Sequence, residues 1–66
     1  MEIVVKENEK FAIVIWYQER SGRQTVGIDD RRWATHLKNK EDGYYYMGHY
    51  DMTLEDAISD AKERNL

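Results

Sequence analysis

Residues 11 to 17 read Phe-Ala-Ile-Val-Ile-Trp-Tyr, the only long uninterrupted apolar run in the chain. Its length decides between strand and helix. Seven residues rich in β-branched and aromatic types, followed by the polar Gln18-Glu19-Arg20-Ser21-Gly22, fit a strand better than a helix of ten or more. Alternation then places Phe11, Ile13, Ile15 and Tyr17 on one face and Ala12, Val14 and Trp16 on the other. A strand that is apolar on both faces belongs inside a sheet, and both sides of that sheet want cover.

The neighbouring segments supply the rest of the sheet. Ile3-Val4-Val5 reads as a short strand, and the polar Lys6 to Lys10 is a loop of hairpin length. Ser21-Gly22 marks a second turn, after which Gln24-Thr25-Val26-Gly27-Ile28 reads as a returning strand, with Gly27 signalling a bulge or close backbone approach. Asp30 to Asn39 fits two templates. As a helix it would start at Asp29 or Asp30 and show Trp33, Ala34 and Leu37 in one stripe; as a strand it would place Trp33, Thr35 and Leu37 on one face. The strand is preferred, because Trp, Thr and His are mediocre helix formers and the next segment needs a pairing partner.

That next segment, Gly43 to Asp51, reads Gly-Tyr-Tyr-Tyr-Met-Gly-His-Tyr-Asp. Strict alternation separates Tyr44, Tyr46 and Tyr50 from Tyr45, Met47 and His49, and a bulge at Gly48 would shift the second half of this split by one. A helix follows. Thr53 is an N-cap with Asp56 three residues on, and Leu54, Ala57, Ile58 and Ala61 recur at helical spacing. Lys62 and Arg64 lie near the negative end of the helix dipole, and Asp60 with Arg64 is an i, i+4 pair. The expected fold class is α+β: a single domain over residues 1–66, with a small antiparallel meander-like sheet of three to five strands and one C-terminal helix packed on one face.

Size and composition bound what such a domain can be. At 66 residues only about 60% of the unfolded chain's surface can be buried, so the core is thin. There is no cysteine, which excludes a disulfide framework and a thiolate metal site. No apolar run approaches the ~20 residues of a membrane helix, and the acidic Met-Glu-Ile start lacks a signal peptide's basic region. A cytoplasmic protein without membrane contact is expected. Charge is uneven: Arg20, Arg23, Arg31, Arg32, Lys38 and Lys40 make the middle basic, and seven acids between Glu41 and Glu63 make the end acidic.

Catalytic chemistry finds little footing. His49 and Asp51 would share a strand face without a bulge and could act as base and orienter or as two metal ligands, but no third partner is visible. Ser21 and Ser59 have no motif around them, and the glycines are scattered singly rather than grouped as a phosphate cradle. No enzyme activity, cofactor or metal is expected. A nucleic-acid module is the second reading, with the basic residues of the middle on phosphates and Trp33 and the tyrosines stacking on bases.

Two short pieces carry a family likeness. Asp42-Gly43-Tyr44-Tyr45 and Thr53-Leu54-Glu55-Asp56-Ala57, with Ala61-Lys62-Glu63, resemble the Asp-Gly-Tyr-Tyr and Thr-Leu-Glu-Glu-Ala pieces of HicB-type antitoxins. The likeness covers under half the chain, and the Pro-containing strand which that family places between the pieces is missing. It keeps a toxin-neutralising or repressor role among the alternatives, and the small size of the chain adds a phage-type inhibitor.

The leading expectation is a binding or regulatory domain whose aromatic sheet face meets a protein partner or a second copy. Its candidate binding residues are Trp16 at the centre with Val14, the aromatics Trp33, Tyr44, Tyr46 and Tyr50, and the cations Arg31 and Arg32.

Overall fold

In the structure, a computed structural model that describes residues 2–18 and 30–66, strands β1 (Glu2–Glu7), β2 (Phe11–Tyr17), β3 (Trp33–Asn39) and β4 (Tyr45–Met52) precede one helix, α1 (Leu54–Glu63). The strands lie in the order β1-β2-β3-β4 and every neighbouring pair is antiparallel, which is a meander. The strand expected at residues 24–28 lies outside the described residues. Of the two templates for Asp30 to Asn39, the strand is the one formed.

β2 sits inside the sheet as its composition demands, paired along its whole length with β3 from Phe11 opposite Asn39 to Tyr17 opposite Trp33. Residues 12 to 15 are all buried. The helix lies on the face that carries Ile13 and Ile15, and these two residues form the core with Ala57 and Ala61, flanked by Val5, Trp33, Leu37 and Met52. Thr53 caps the helix, its hydroxyl accepting from the Asp56 backbone N–H at 3.1 Å.

The helix is turned from the orientation its apolar stripe suggests. Ala57 and Ala61 are fully buried, but Leu54 and Ile58 are each 38% exposed. The side of the helix pressed on the sheet runs instead through Ala57, Asp60, Ala61 and Arg64. Alanine allows close approach there, and the Thr35 hydroxyl of β3 donates to the Asp60 carboxylate across the seam. A polar contact at the centre of the interface thus overrides the larger aliphatic side chains, which leaves Ile58 a half-covered flank residue.

β4 departs from simple alternation twice. Thr35 pairs with His49 and Leu37 with Tyr46, so two steps on β3 match three on β4; the same happens between Trp33, opposite Met52, and Thr35. Each mismatch is a bulge with one extra β4 residue. Met47 and Asp51 fall in these bulges with φ of 50° and 59°, left-handed values that non-glycine residues seldom adopt. The bulges bring Tyr46, His49 and Met52 to the helix side and Tyr45 and Tyr50 to the other.

Candidate binding face

The side of the sheet away from the helix is built from alternate residues of all four strands: Glu2 and Val4, then Ala12, Val14 and Trp16, then Ala34, His36 and Lys38, then Tyr45 and Tyr50. No described element lies over it. Even so, Val14 and Ala34 are fully buried and His36 is only 4% exposed. They are roofed by their own neighbours. The rings of Trp16 and Tyr45 stack with centroids 6.1 Å apart and 8° between planes. His36 sits under them, 5.9 Å from Trp16 and 5.4 Å from Tyr45, and meets Tyr50 edge-on at 5.1 Å.

Polar contacts pin this roof at its ends. The Tyr45 hydroxyl donates to Glu2, and the Lys38 ammonium lies 3.1 Å from the same carboxylate and 5.4 Å above the Tyr45 ring. Glu2 on one edge strand is therefore tied to Tyr45 on the other. The Tyr45 hydroxyl, helped by Lys38 against the cost of partial burial, holds the Glu2 carboxyl below its usual range. The same bond to Glu2 raises the pKa of Tyr45, and Glu2 likewise raises that of Lys38. At the other end, the Tyr50 hydroxyl lies 2.9 Å from His36 Nε2.

Burial pushes the pKa of His36 down, with the positive charge of Arg64 adding to the effect. Its Nδ1 is buried and finds no partner among the described residues. Gly48 makes the arrangement possible, because a Cβ there would collide with the Tyr50 ring. The absence of a side chain is what lets that ring close over the backbone.

The candidate residues read from sequence separate in space. Trp16, Val14 and Tyr50 meet on the open face. Trp33 packs on the helix side against the core, 4.9 Å from the Tyr17 ring. Tyr46 also points to the helix side and donates to Asp42, while Tyr44 lies in the turn before β4 and is 67% exposed. Arg31 is exposed; Arg32 is buried, with its Nε 3.8 Å from Asp30. Tyr45 and His36 complete the face although neither was among the candidates. The signal that could have found Tyr45 was Gly48: the bulge there joins Tyr45 with Tyr50.

A second polar cluster occupies the helix side. The His49 Nδ1 is 2.9 Å from Asp60, so the partner of His49 is on the helix. Burial of Asp60 is outweighed by the Thr35 hydroxyl, His49 and Arg64, which together hold its carboxyl below the ordinary carboxylate value. Among the described residues, no group of three His, Cys, Asp or Glu side chains is placed to hold a metal ion. None of the described helices is long and apolar enough to cross a membrane. Comparison with protein-family models, curated proteins and solved structures finds no match.

Proposed function

We propose that this chain is a small protein-binding domain and that the open sheet face, centred on Trp16 with Tyr45 and Tyr50, is its contact surface. One observation carries the reading. Three large aromatic rings, between 39% and 51% exposed, are already held by stacking and hydroxyl contacts before any partner arrives. Tryptophan and tyrosine contribute most at interfaces when they become fully buried, and pre-ordered side chains lose little entropy on association. The role is binding rather than catalysis.

Charge on the face favours a protein over a nucleic acid. Lys38 is offset by Glu2, and phosphate recognition needs cations in excess. Trp16→Ala is expected to weaken partner binding or self-association by about 30-fold, the effect of a residue at the centre of an interface. The accompanying loss of stability should be smaller, because Trp16 is not enclosed.

Sedimentation across a concentration range separates self-association from binding to another protein. Affinity capture with the parent and the variant then reads the second case, and a denaturant melt of the variant runs beside both. The reading is overturned by a chain that stays monomeric and whose Trp16→Ala variant captures the same proteins as the parent. Saturable binding of a single-stranded oligonucleotide that weakens with salt, and that Arg31→Glu removes, would establish the nucleic-acid reading instead.

A further inference from the structure

Beyond the last turn of α1, the helix side of the sheet is left with a half-open pocket of about 270 Å³, lined by Ile13, Leu37, Met47, His49, Arg64 and Asn65. Arg64 is the C-cap residue with extended backbone angles, and its side chain, only 11% exposed, returns across the end of the helix. One terminal nitrogen of its guanidinium donates to the Met47 carbonyl and lies 3.1 Å from His49 Nε2. Because Arg64 only donates and Asp60 accepts at the other ring nitrogen, His49 is held as the Nδ1–H tautomer.

The Arg64 guanidinium is incompletely matched. Its Nε is 3.9 Å from Asp60, too far for a hydrogen bond, and that carboxylate is shared with Thr35 and His49. Its other terminal nitrogen, Nη1, is buried with no hydrogen-bond partner among the described residues. A buried, unfilled donor on a cation is costly to leave unmatched, and Arg64 lines the pocket together with the apolar side chains of Ile13, Leu37 and Met47. The Met47 carbonyl that steers the guanidinium belongs to a residue in the left-handed region, so the strained bulge helps to place the cation.

We propose that this pocket binds a carboxylate carried on a small apolar body, with the anion on Arg64 and Asn65 and the apolar part against Ile13 and Leu37. The chemistry selects carboxylate over phosphate. A planar guanidinium matches a planar monoanion, whereas a phosphate dianion would find a single cation beside Asp60. The volume suits a fragment-sized acid or the last residue of a peptide chain. This site lies on the opposite side of the sheet from the aromatic face and stands or falls independently of it.

Hexanoate is the probe, with hexanol as the uncharged control, each titrated into the full chain and followed by amide and arginine side-chain NMR. Hexanoate is expected to saturate with a Kd of about 1 mM, the strength of so small a ligand. Its shifts should centre on Leu37, Met47, His49 and Arg64, and hexanol should bind roughly tenfold more weakly. Arg64→Gln should abolish saturation. Met47→Glu, which leaves Arg64 in place and sets a negative charge beside the pocket at a residue 72% exposed, should weaken binding if Arg64→Gln proves too unstable to read.

A short peptide ending in leucine, compared with its C-terminal amide, distinguishes the source of the acid. Tighter binding by the peptide acid, lost in the amide, assigns the carboxylate to a chain terminus; binding of hexanoate alone assigns it to a free acid. No saturation by hexanoate or by the peptide acid overturns the proposal. So does equal binding of hexanol, or hexanoate binding that both variants leave unchanged.

Discussion

The helix side of the sheet is closed by small side chains brought near, Ala57 and Ala61 against Ile13 and Ile15, whereas the opposite side is closed by long ones lying flat, Trp16, Lys38, Tyr45 and Tyr50 around Val14 and His36. The first kind of burial exists only while a separate element is docked, so it is lost with the fold. The second is made within the sheet itself and can be lifted one side chain at a time. Equal burial of the residues beneath therefore conceals unequal cooperativity. The roofed face is the one able to rearrange against a partner without unfolding the domain.

The sharpest attack on this contrast is to enlarge an alanine. Ala61→Leu should destabilise the domain by about 3 kcal/mol, because overpacking forces the helix off the sheet. Ile58→Ala, although it removes more volume than a methyl group, should cost under about 1 kcal/mol, since Ile58 is only partly covered. A denaturant melt of both variants checks the order; the reverse order would show that the helix rests on Ile58 after all.

Next in size is the polar centre of the seam. Asp60→Ala leaves the Thr35 hydroxyl and His49 without their common acceptor and Arg64 without its ion-pair partner, and about 2 kcal/mol should be lost. Asp60 does not touch the aromatic face, so binding through Trp16 should survive at temperatures where the variant is folded. Thermal melts and the capture assay, run on the same sample, test both halves.

The roof should reveal itself through pH more than through a large offset in stability. Burial lowers His36 from its ordinary value of 6.5, so as the pH falls the unfolded chain takes up the proton first. The stability this histidine allows is complete above about pH 6.5 and declines until the folded-state value is passed. Glu2 and Asp60, both held below their ordinary values, act in a separate window: their contribution is complete above about pH 4.5 and is lost below it. His36→Phe should remove the upper decline and leave the lower one. Gly48→Ala, which displaces the Tyr50 ring, should move the NMR titration of His36 back toward its ordinary value. A titration unchanged by Gly48→Ala would mean that Tyr50 does not shield the ring.

The strands were legible because their signals are local. The apolar run from Phe11 to Tyr17 carries its own face assignment, and Trp33, Thr35 and His36, mediocre helix formers, tip the next segment toward the strand without excluding the rival template. Thr53 announces the helix in the same way. What stayed hidden depends on pairs distant in sequence. The turn of the helix away from Ile58 requires Thr35 to meet Asp60, and the Glu2–Tyr45 tie joins residues from opposite edges of the sheet. The membership of the aromatic face depended on the β4 bulges: Gly48 marked one of them, but nothing in the residues around Asp51 marked the other.

Those bulges also bear on how the sheet can grow. Addition of a strand to an edge needs a regular row of amides and carbonyls, and β4, interrupted at Met47 and again at Asp51, does not offer one. β1 has a single irregularity, between Val4 and Lys6. A filament of edge-joined sheets requires two receptive edges on every copy. With one edge blunted, joining through β1 ends at a pair of molecules, and the twisted backbone of β4 serves as a stop against open-ended assembly.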